Sequence, residues 1–364
     1  MCRRRCLKRI LSAISYDTLR GIVHRVKNLA RASWSTVKQV INTWALVLAG
    51  GEGTRLHGLT RNTQGVAVPK QFCSLRGGAS LLEDALRRAS AVAPLQRICT
   101  VVAEQHRHWW TPQLSYLQNN NVVVQPLNRG TAHGILLPLL RIAARDPGAV
   151  VVLLPADHYV SDEAVMMESL RRAAELAAAD GDSIYLLGIE PDEIDAELGY
   201  ILPTSRSRTQ AAEVRRFIEK PSAIQARALI ERGALWNTFI LAGSVTSLLG
   251  IFGGSFATTI AAMRGFEGAT IGTLYERLDS LDFSRDVLQG KESSLKVLAV
   301  PKCGWTDLGT PKRVGQTLSR LAQVFVAEPA HQNSGAQINL ADQYARLHRR
   351  PAARGEVGHI DLRA

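Results

Sequence analysis

Residues 45–56 read Ala45-Leu46-Val47-Leu48-Ala49-Gly50-Gly51-Glu52-Gly53-Thr54-Arg55-Leu56, and this stretch decides the fold. Five consecutive apolar residues stopped by a glycine pair have the length and texture of a buried strand entering a tight turn. Strands buried on both faces belong to parallel sheets, whose crossover helices cover either side. Working outward, the same signal recurs. Ile98–Val102, Val122–Gln125, Val150–Leu154 and Ile184–Ile189 read as further apolar strands, with helical stretches at Ser80–Val92, Thr131–Ala144 and Glu163–Ala179 between them. Strands alternating with helices, without hairpin signals, predict an α/β fold with a parallel sheet.

Beyond Pro191 the rhythm loosens. Gly199–Pro203, Val214–Ile218 and Leu295–Val300 are shorter strand candidates around helical stretches, expected to form a substrate-side subregion on the same sheet. The division that follows is an N-terminal extension over residues 1–43, the main α/β domain over 44–325, and a polar tail over 326–364 with one helix near Asp342–His348. No internal repeat is found.

Composition narrows the function classes. A chain of 364 residues, 46% hydrophobic and 21% charged, has the material for a sizeable core, which excludes disorder, collagen-like repeats and a disulfide scaffold. The longest uninterrupted apolar run, Ala149–Leu154, is far short of the roughly 20 residues that cross a bilayer. Five cysteines with no CxxC pair read as reduced thiols. The net charge of +12 suggests nucleic acid, but residues 1–43 hold ten basic residues against the single acid Asp17, three quarters of the surplus. The body is close to neutral, and no nucleic-acid partner is expected. In that extension apolar residues recur at three- and four-residue steps among the basic ones, as in a basic amphipathic helix. It reads either as a membrane-surface or partner-binding arm or as an extension that packs on the body. Asp17 and Arg20 interrupt the apolar core that a secretory signal would need, and a cytoplasmic location is expected.

Three segments could carry chemistry. Glycines after a first strand let the backbone approach a polyphosphate, and their free N–H groups can cradle its oxygens. The turn at Gly50, Gly51 and Gly53 matches neither GxxxxGK[ST] nor the dinucleotide fingerprint, since Leu56 stands at the third glycine. Two cations accompany it instead, Arg55 and, in Pro69-Lys70-Gln71-Phe72, Lys70, as suits a reaction in which a leaving pyrophosphate builds up negative charge. The second segment, Leu153-Leu154-Pro155-Ala156-Asp157-His158, sets a carboxylate just past a buried strand, where ligands of open sheets bind. Asp157 there is a reasonable Mg²⁺ ligand, and an ordinary cap or turn residue otherwise. The third, Gly304-Trp305-Thr306-Asp307-Leu308-Gly309, offers a second carboxylate that a shared Mg²⁺ would need. Between them, Gly199, Glu219-Lys220 and Asn237 offer a close approach, an acceptor, an ammonium and an amide for a sugar phosphate.

Taken in order, these segments resemble the sugar-1-phosphate nucleotidyltransferases, and most of all the mannose-1-phosphate guanylyltransferases. Eight motifs stand in register: Leu48–Leu56, Pro69–Phe72, Gln125–Ala132, Leu153–His158, Gly199–Ile201, Phe217–Pro221, Trp236-Asn237 and Gly304–Gly309, spanning about residues 44–313. The resemblance implies a Rossmann-like nucleotidyltransferase fold with a central, mostly parallel (mixed) sheet flanked by helices. It implies that GTP and mannose 1-phosphate give GDP-mannose and pyrophosphate by in-line attack of the sugar phosphate on the α-phosphorus. By the same resemblance Gly50, Gly51, Gly53 and Thr54 line the nucleotide, with Gln125 near the base, Arg129 near the nucleotide, and Arg55 and Lys70 on the phosphates. Asp157 and Asp307 hold Mg²⁺, and Gly199, Glu219, Lys220 and Asn237 hold the sugar phosphate.

The sequence departs from the family pattern at His57-Gly58, Gly130, His133 and Phe239, the last a bulky ring where a glycine is usual. No counterpart of the cupin-like isomerase domain of longer relatives is expected, nor isomerase activity; a homodimer is one expected assembly. The readings that compete are a sibling enzyme using another sugar or base, a catalytically weak sugar-nucleotide sensor, and a membrane- or nucleic-acid-binding protein resting on residues 1–43 alone.

Overall fold

The computed structural model describes residues 42–205, 207, 210–265, 270–324 and 338–348. Nearly all of the extension assigned to residues 1–43 lies outside them. The strands are β1 (Thr43–Ala49), β2 (Ile98–Ala103), β3 (Val122–Gln125), β4 (Val150–Pro155), β5 (Ile184–Ile189), β6 (Tyr200–Pro203), β7 (Ala212–Ile218), β8 (Leu235–Ser244) and β9 (Leu295–Val300). The helices are α1 (Leu81–Ser90), α2 (Arg107–Leu114), α3 (Gly130–Arg145), α4 (Glu163–Asp180), α5 (Ala223–Glu231), α6 (Val245–Gly250), α7 (Ala257–Gly265), α8 (Thr270–Arg277), α9 (Pro311–Val324) and α10 (Leu340–His348).

The strands form one sheet in the order β3-β2-β1-β4-β8-β5-β9-β7-β6. β1 shows why the apolar runs are continuous. Ala45, Val47 and Ala49 face a core shared with Leu82 and Ala85 of α1 and Met166 and Leu170 of α4. Trp44 and Leu46 face the opposite core, with Leu136 and Leu139 of α3 and Leu248 of α6. Both faces are covered, so no position of the strand can be polar without cost.

The parallel pairings expected from that pattern are present between β1, β2, β3 and β4 and between β5 and β9. One strand departs from the expectation: β8 lies antiparallel between β4 and β5, at the centre of the sheet. Its apolar run is broken by Asn237-Thr238, and its register on β5 shifts between Leu186 and Gly188, so no regular period marks it. The β6–β7 pair is also antiparallel and hairpin-like, although the sequence carries no tight-turn signal there. The sheet is therefore mixed.

Part of the polar tail, including α10, packs on the domain. Ile338 and Leu340 are buried in the core. Ser74 N–H donates to the Ile338 carbonyl at 2.8 Å, and Leu340 N–H donates to the Ser74 carbonyl at 2.8 Å. Residues 338–348, assigned by composition to the tail, thus dock on the domain, and two apolar anchors inside a polar run suffice to hold them. Among the described residues no helix is long and apolar enough to cross a membrane.

Leu340→Ala is expected to lower unfolding stability by about 2–4 kcal/mol, the range for a large-to-small change in a closed core. Leu347→Ala, at a side chain 60% exposed, is expected to change it by less than about 0.5 kcal/mol. Urea denaturation of the two variants measures the difference.

Candidate active site

The loops at the ends of β1, β4, β5, β7 and β9 and the first half of β8 enclose a cavity of about 470 Å³. Gly50, Gly51, Arg55, Lys70, Gln125, Asp157, Gly199, Glu219, Lys220, Asn237 and Asp307 all line it. These residues, spread over more than 250 positions, are brought to one place.

The glycine turn is held from beneath. Gln71 Nε2 donates to the Ala49 and Gly51 carbonyls, each at 2.9 Å. A Cβ on Gly50 would stand 2.9 Å from Gln125 Nε2, so the glycine gives that amide its place. Gly53 acts differently: its φ is +65° and a Cβ there would meet Lys70 N at 3.1 Å. It seats the lysine and does not line the cavity, and neither does Thr54, which opens a short 3₁₀ turn. Arg55 reaches across the mouth to Glu197 at 3.0 Å, with both side chains about half exposed.

Lys70 is the centre of the site. It is 5% exposed, and its Nζ lies 3.1 Å from Asp157 Oδ2 and donates to the Asp307 carbonyl at 2.6 Å and the Leu308 carbonyl at 3.2 Å. Asp157 and Asp307 are neighbours because Tyr159 and Thr306 form an antiparallel bridge. Burial acts most strongly and raises the Asp157 pKa, but the Lys70 ammonium, with His158 and the hydrogen bonds from Lys70 and the backbone, together hold the carboxyl below its ordinary value. His158 is pushed down to about 4 by burial; its Nδ1 accepts from Trp305 Nε1 at 3.3 Å, a packing role.

Asp307 is held by Arg313, whose Nη1 lies 3.3 Å from Oδ1; that oxygen is buried and has no hydrogen-bond partner. Gly309 leaves the other oxygen room, since a Cβ there would stand 2.3 Å from Asp307 Oδ2. Arg313 is itself buried, donates to Asp195 Oδ2 from Nε at 2.9 Å, and lies over the Trp236 ring at 5.1 Å. Among the described residues no group of three potential ligands is gathered. The pair Asp157 and Asp307 is instead the donor set that Mg²⁺ accepts when phosphate oxygens complete its shell, and Asp307 Oδ2, on the side of the cavity-lining Gly309, fits that use.

At the other end, Asn237 N–H donates to the Gly199 carbonyl at 2.8 Å, and a Cβ on Gly199 would stand 2.5 Å from Glu219 Oε2. Glycine is required there for the carboxylate to lie where it does. Burial, with Asp282 adding, pushes the Glu219 carboxyl up to about 7 against the pull of Lys220 and Arg285.

Arg129, like Gly53 and Thr54, does not line the cavity. It turns away: its Nε donates to the Tyr275 carbonyl at 2.7 Å and its Nη2 to the Glu276 carbonyl at 3.0 Å. It caps the last turn of α8, whose carbonyls have no partner within the helix. The neighbouring Gly130 explains the departure noted at that position: φ is +80°, and a Cβ would fall 2.2 Å from the Leu281 carbonyl oxygen. Sequence reasoning in turn missed Gln71, Glu197 and Arg313. The first two stand inside quoted motifs or beside them, where the lysine and the glycine took the attention; Arg313 carries no motif signal. It also missed Ser284 and Arg285, on a short π-helical segment of the cavity wall.

The model of the family described as Nucleotidyl transferase matches residues 44–251. The chain belongs to the nucleotidyl transferase family. It is 30% identical over 312 residues to the xanthan biosynthesis protein XanB of Xanthomonas campestris pv. campestris strain B100, covering 82% of this chain and 64% of XanB. It is 31% identical over 204 residues to the mannose-1-phosphate guanylyltransferase of Escherichia coli K12, covering 54% of this chain and 41% of that enzyme. The chain thus spans less than two thirds of the length of these relatives. Among solved structures, a mannose-1-phosphate geranyltransferase from Thermus thermophilus superposes with a TM-score of 0.66 at 28% identity, covering 80% of this chain and 81% of that one.

Arg313→Met removes the ion-pair partner that Asp307 and Asp195 share among the described residues and leaves two largely enclosed carboxylates without it. A loss of about 3–5 kcal/mol in stability is expected, read as a lowered urea midpoint in a protein that still folds at low temperature.

Proposed function

We propose that this member of the family is a Mg²⁺-dependent mannose-1-phosphate guanylyltransferase, making GDP-mannose and pyrophosphate from GTP and mannose 1-phosphate. One observation carries the reading: two aspartates from distant loops stand on one buried lysine, between a glycine turn and the Gly199–Glu219–Asn237 cluster. The likeness to relatives named for that activity supports it.

In this reading the triphosphate lies along Gly50 and Gly51, and the sugar phosphate sits at Glu219, Lys220 and Asn237. A phosphate oxygen of the sugar attacks the α-phosphorus in line, and pyrophosphate leaves. No side chain becomes covalently attached. Lys70 is already fixed by three oxygens, so it meets the developing charge without reorganising. Arg55 exchanges the Glu197 carboxylate for phosphate oxygens. Asp157 and Asp307 would hold Mg²⁺, which when bound neutralises the charge of the triphosphate. Gln125 lines the cavity with its amide beside Gly50 and Gly134, a group of the kind that can meet the N–H edge of guanine. Positioning supplies the rest of the acceleration.

Pyrophosphate release across four nucleoside triphosphates and a panel of fully hydroxylated hexose 1-phosphates is expected to be fastest with GTP and mannose 1-phosphate and to need Mg²⁺. Asp157→Asn is expected to lower kcat by at least about 10³-fold, as for loss of a central electrostatic group, in a protein with an unchanged circular dichroism spectrum. Near-normal turnover by that variant sinks the assignment.

Glu219 gives a pH test. Its carboxyl group accepts sugar hydroxyls more strongly when ionised than when protonated, and its pKa is raised to about 7. The kcat/KM for the sugar phosphate is therefore expected to rise with pH through a limb at about that value and to level off above it. Glu219→Gln is expected to remove that limb and leave only the titration of the substrate's own phosphate.

A further inference from the structure

Among the described residues, three that are not glycine take positive φ: Lys220 at 48°, Phe239 at 59° and Leu308 at 48°. Lys220 and Phe239 line the cavity, and Leu308 follows Asp307, which does. Strained backbone that collects at a site is held there by its surroundings. Leu308 is tied to the site through its carbonyl, which accepts from Lys70 Nζ at 3.2 Å, and Lys220 has a role in the proposed reaction. Phe239 is the case the proposed reaction does not explain, because a large side chain in the left-handed region is unfavourable.

The backbone around it shows how the ring is aimed. Along β5, Gly188 pairs with Asn237 and Leu186 with Leu241, so the single residue Leu187 faces Thr238, Phe239 and Ile240. This is a bulge, a device that redirects a side chain beside a site. It is fastened on both sides: Thr238 Oγ1 donates to the Leu187 carbonyl at 2.6 Å, and Phe239 N–H donates to Asn237 Oδ1 at 3.0 Å. The ring meets Phe283 edge-on at 6.0 Å, and Phe283 packs on Phe252 at 5.8 Å. Both partners are fully buried, which denies Phe239 a second position. Asn237 Oδ1 is taken by the bulge, so this residue offers a ligand its amide donor while the ring beside it offers only carbon.

We propose that Phe239 is a specificity-determining residue that gives the sugar pocket one fixed apolar wall, so that the preferred substrate is a hexose 1-phosphate lacking a hydroxyl on the edge that meets this ring. The inference rests on the reading that the Gly199–Glu219–Asn237 end holds the sugar phosphate. A hydroxyl pressed on the ring loses its water and gains no partner, whereas a C–H or methyl edge is buried favourably. Discrimination by an apolar wall against an added hydroxyl is about 10- to 100-fold.

The test compares D-mannose 1-phosphate with its 2-, 3-, 4- and 6-deoxy analogues, with GTP and Mg²⁺, using the full chain and pyrophosphate release. One deoxy analogue is expected to exceed the parent sugar in kcat/KM by at least about 10-fold. Phe239→Gly, which relieves the left-handed backbone and opens the wall, is expected to bring that ratio close to one, and Phe239→Asn to do the same. Phe239→Leu, which keeps an apolar wall, is expected to preserve most of it. A wild-type protein that turns over mannose 1-phosphate with no deoxy preference, or a ratio unchanged in Phe239→Gly, overturns this inference alone. Absence of turnover with every pair overturns the guanylyltransferase reading and this inference with it.

Discussion

A buried ammonium ion organises this molecule. Lys70 is drawn from a turn after the first strand into a place where a carboxylate from the loop after β4 and two carbonyls from the loop after β9 converge on it. A charge with almost no contact with water is tolerable only when every proton has an oxygen, and these three oxygens come from two loops far apart in the chain. Gly53 exists in its left-handed form to let Lys70 approach, and Gln71, the next residue, fixes the glycine turn through two carbonyls. One four-residue segment, Pro69–Phe72, therefore sets the geometry of both the glycine turn and the aspartate pair.

Much of this was legible in the sequence. Buried strands of a sheet covered on both faces announce themselves as apolar runs, and β1, β2, β3, β4, β5 and β9 were readable for that reason. β8 was not. Its irregularity is the bulge that carries Phe239 into the cavity, so the feature that hid the strand is the one that shapes the site. The segment 338–348 was hidden by the opposite effect: two buried residues, Ile338 and Leu340, decide its docking, while the polar residues around them decide its composition.

The site was legible where chemistry demands a residue type and obscure where it demands only a direction. Carboxylates after strands, glycines in turns and paired cations could be read one by one, and the cavity gathers most of them. Arg129 shows the limit. An arginine serves a phosphate and a helix C-terminus equally well, and only the position of the α8 carbonyls decides between them. Arg313 shows the converse, a buried cation outside any motif that joins Asp195 to Asp307.

The ion pair across the mouth of the cavity has its own consequence. Arg55 already holds a carboxylate, Glu197, so this pair offers a passing anion little net attraction. A chloride or an acetate gains nothing by replacing one carboxylate with another weak anion. A polyanion that several donors grip at once can dislodge it, and when it does, it frees Glu197 two residues before Gly199. Occupancy at one end of the cavity thereby releases a restraint on the strand entry that shapes the other.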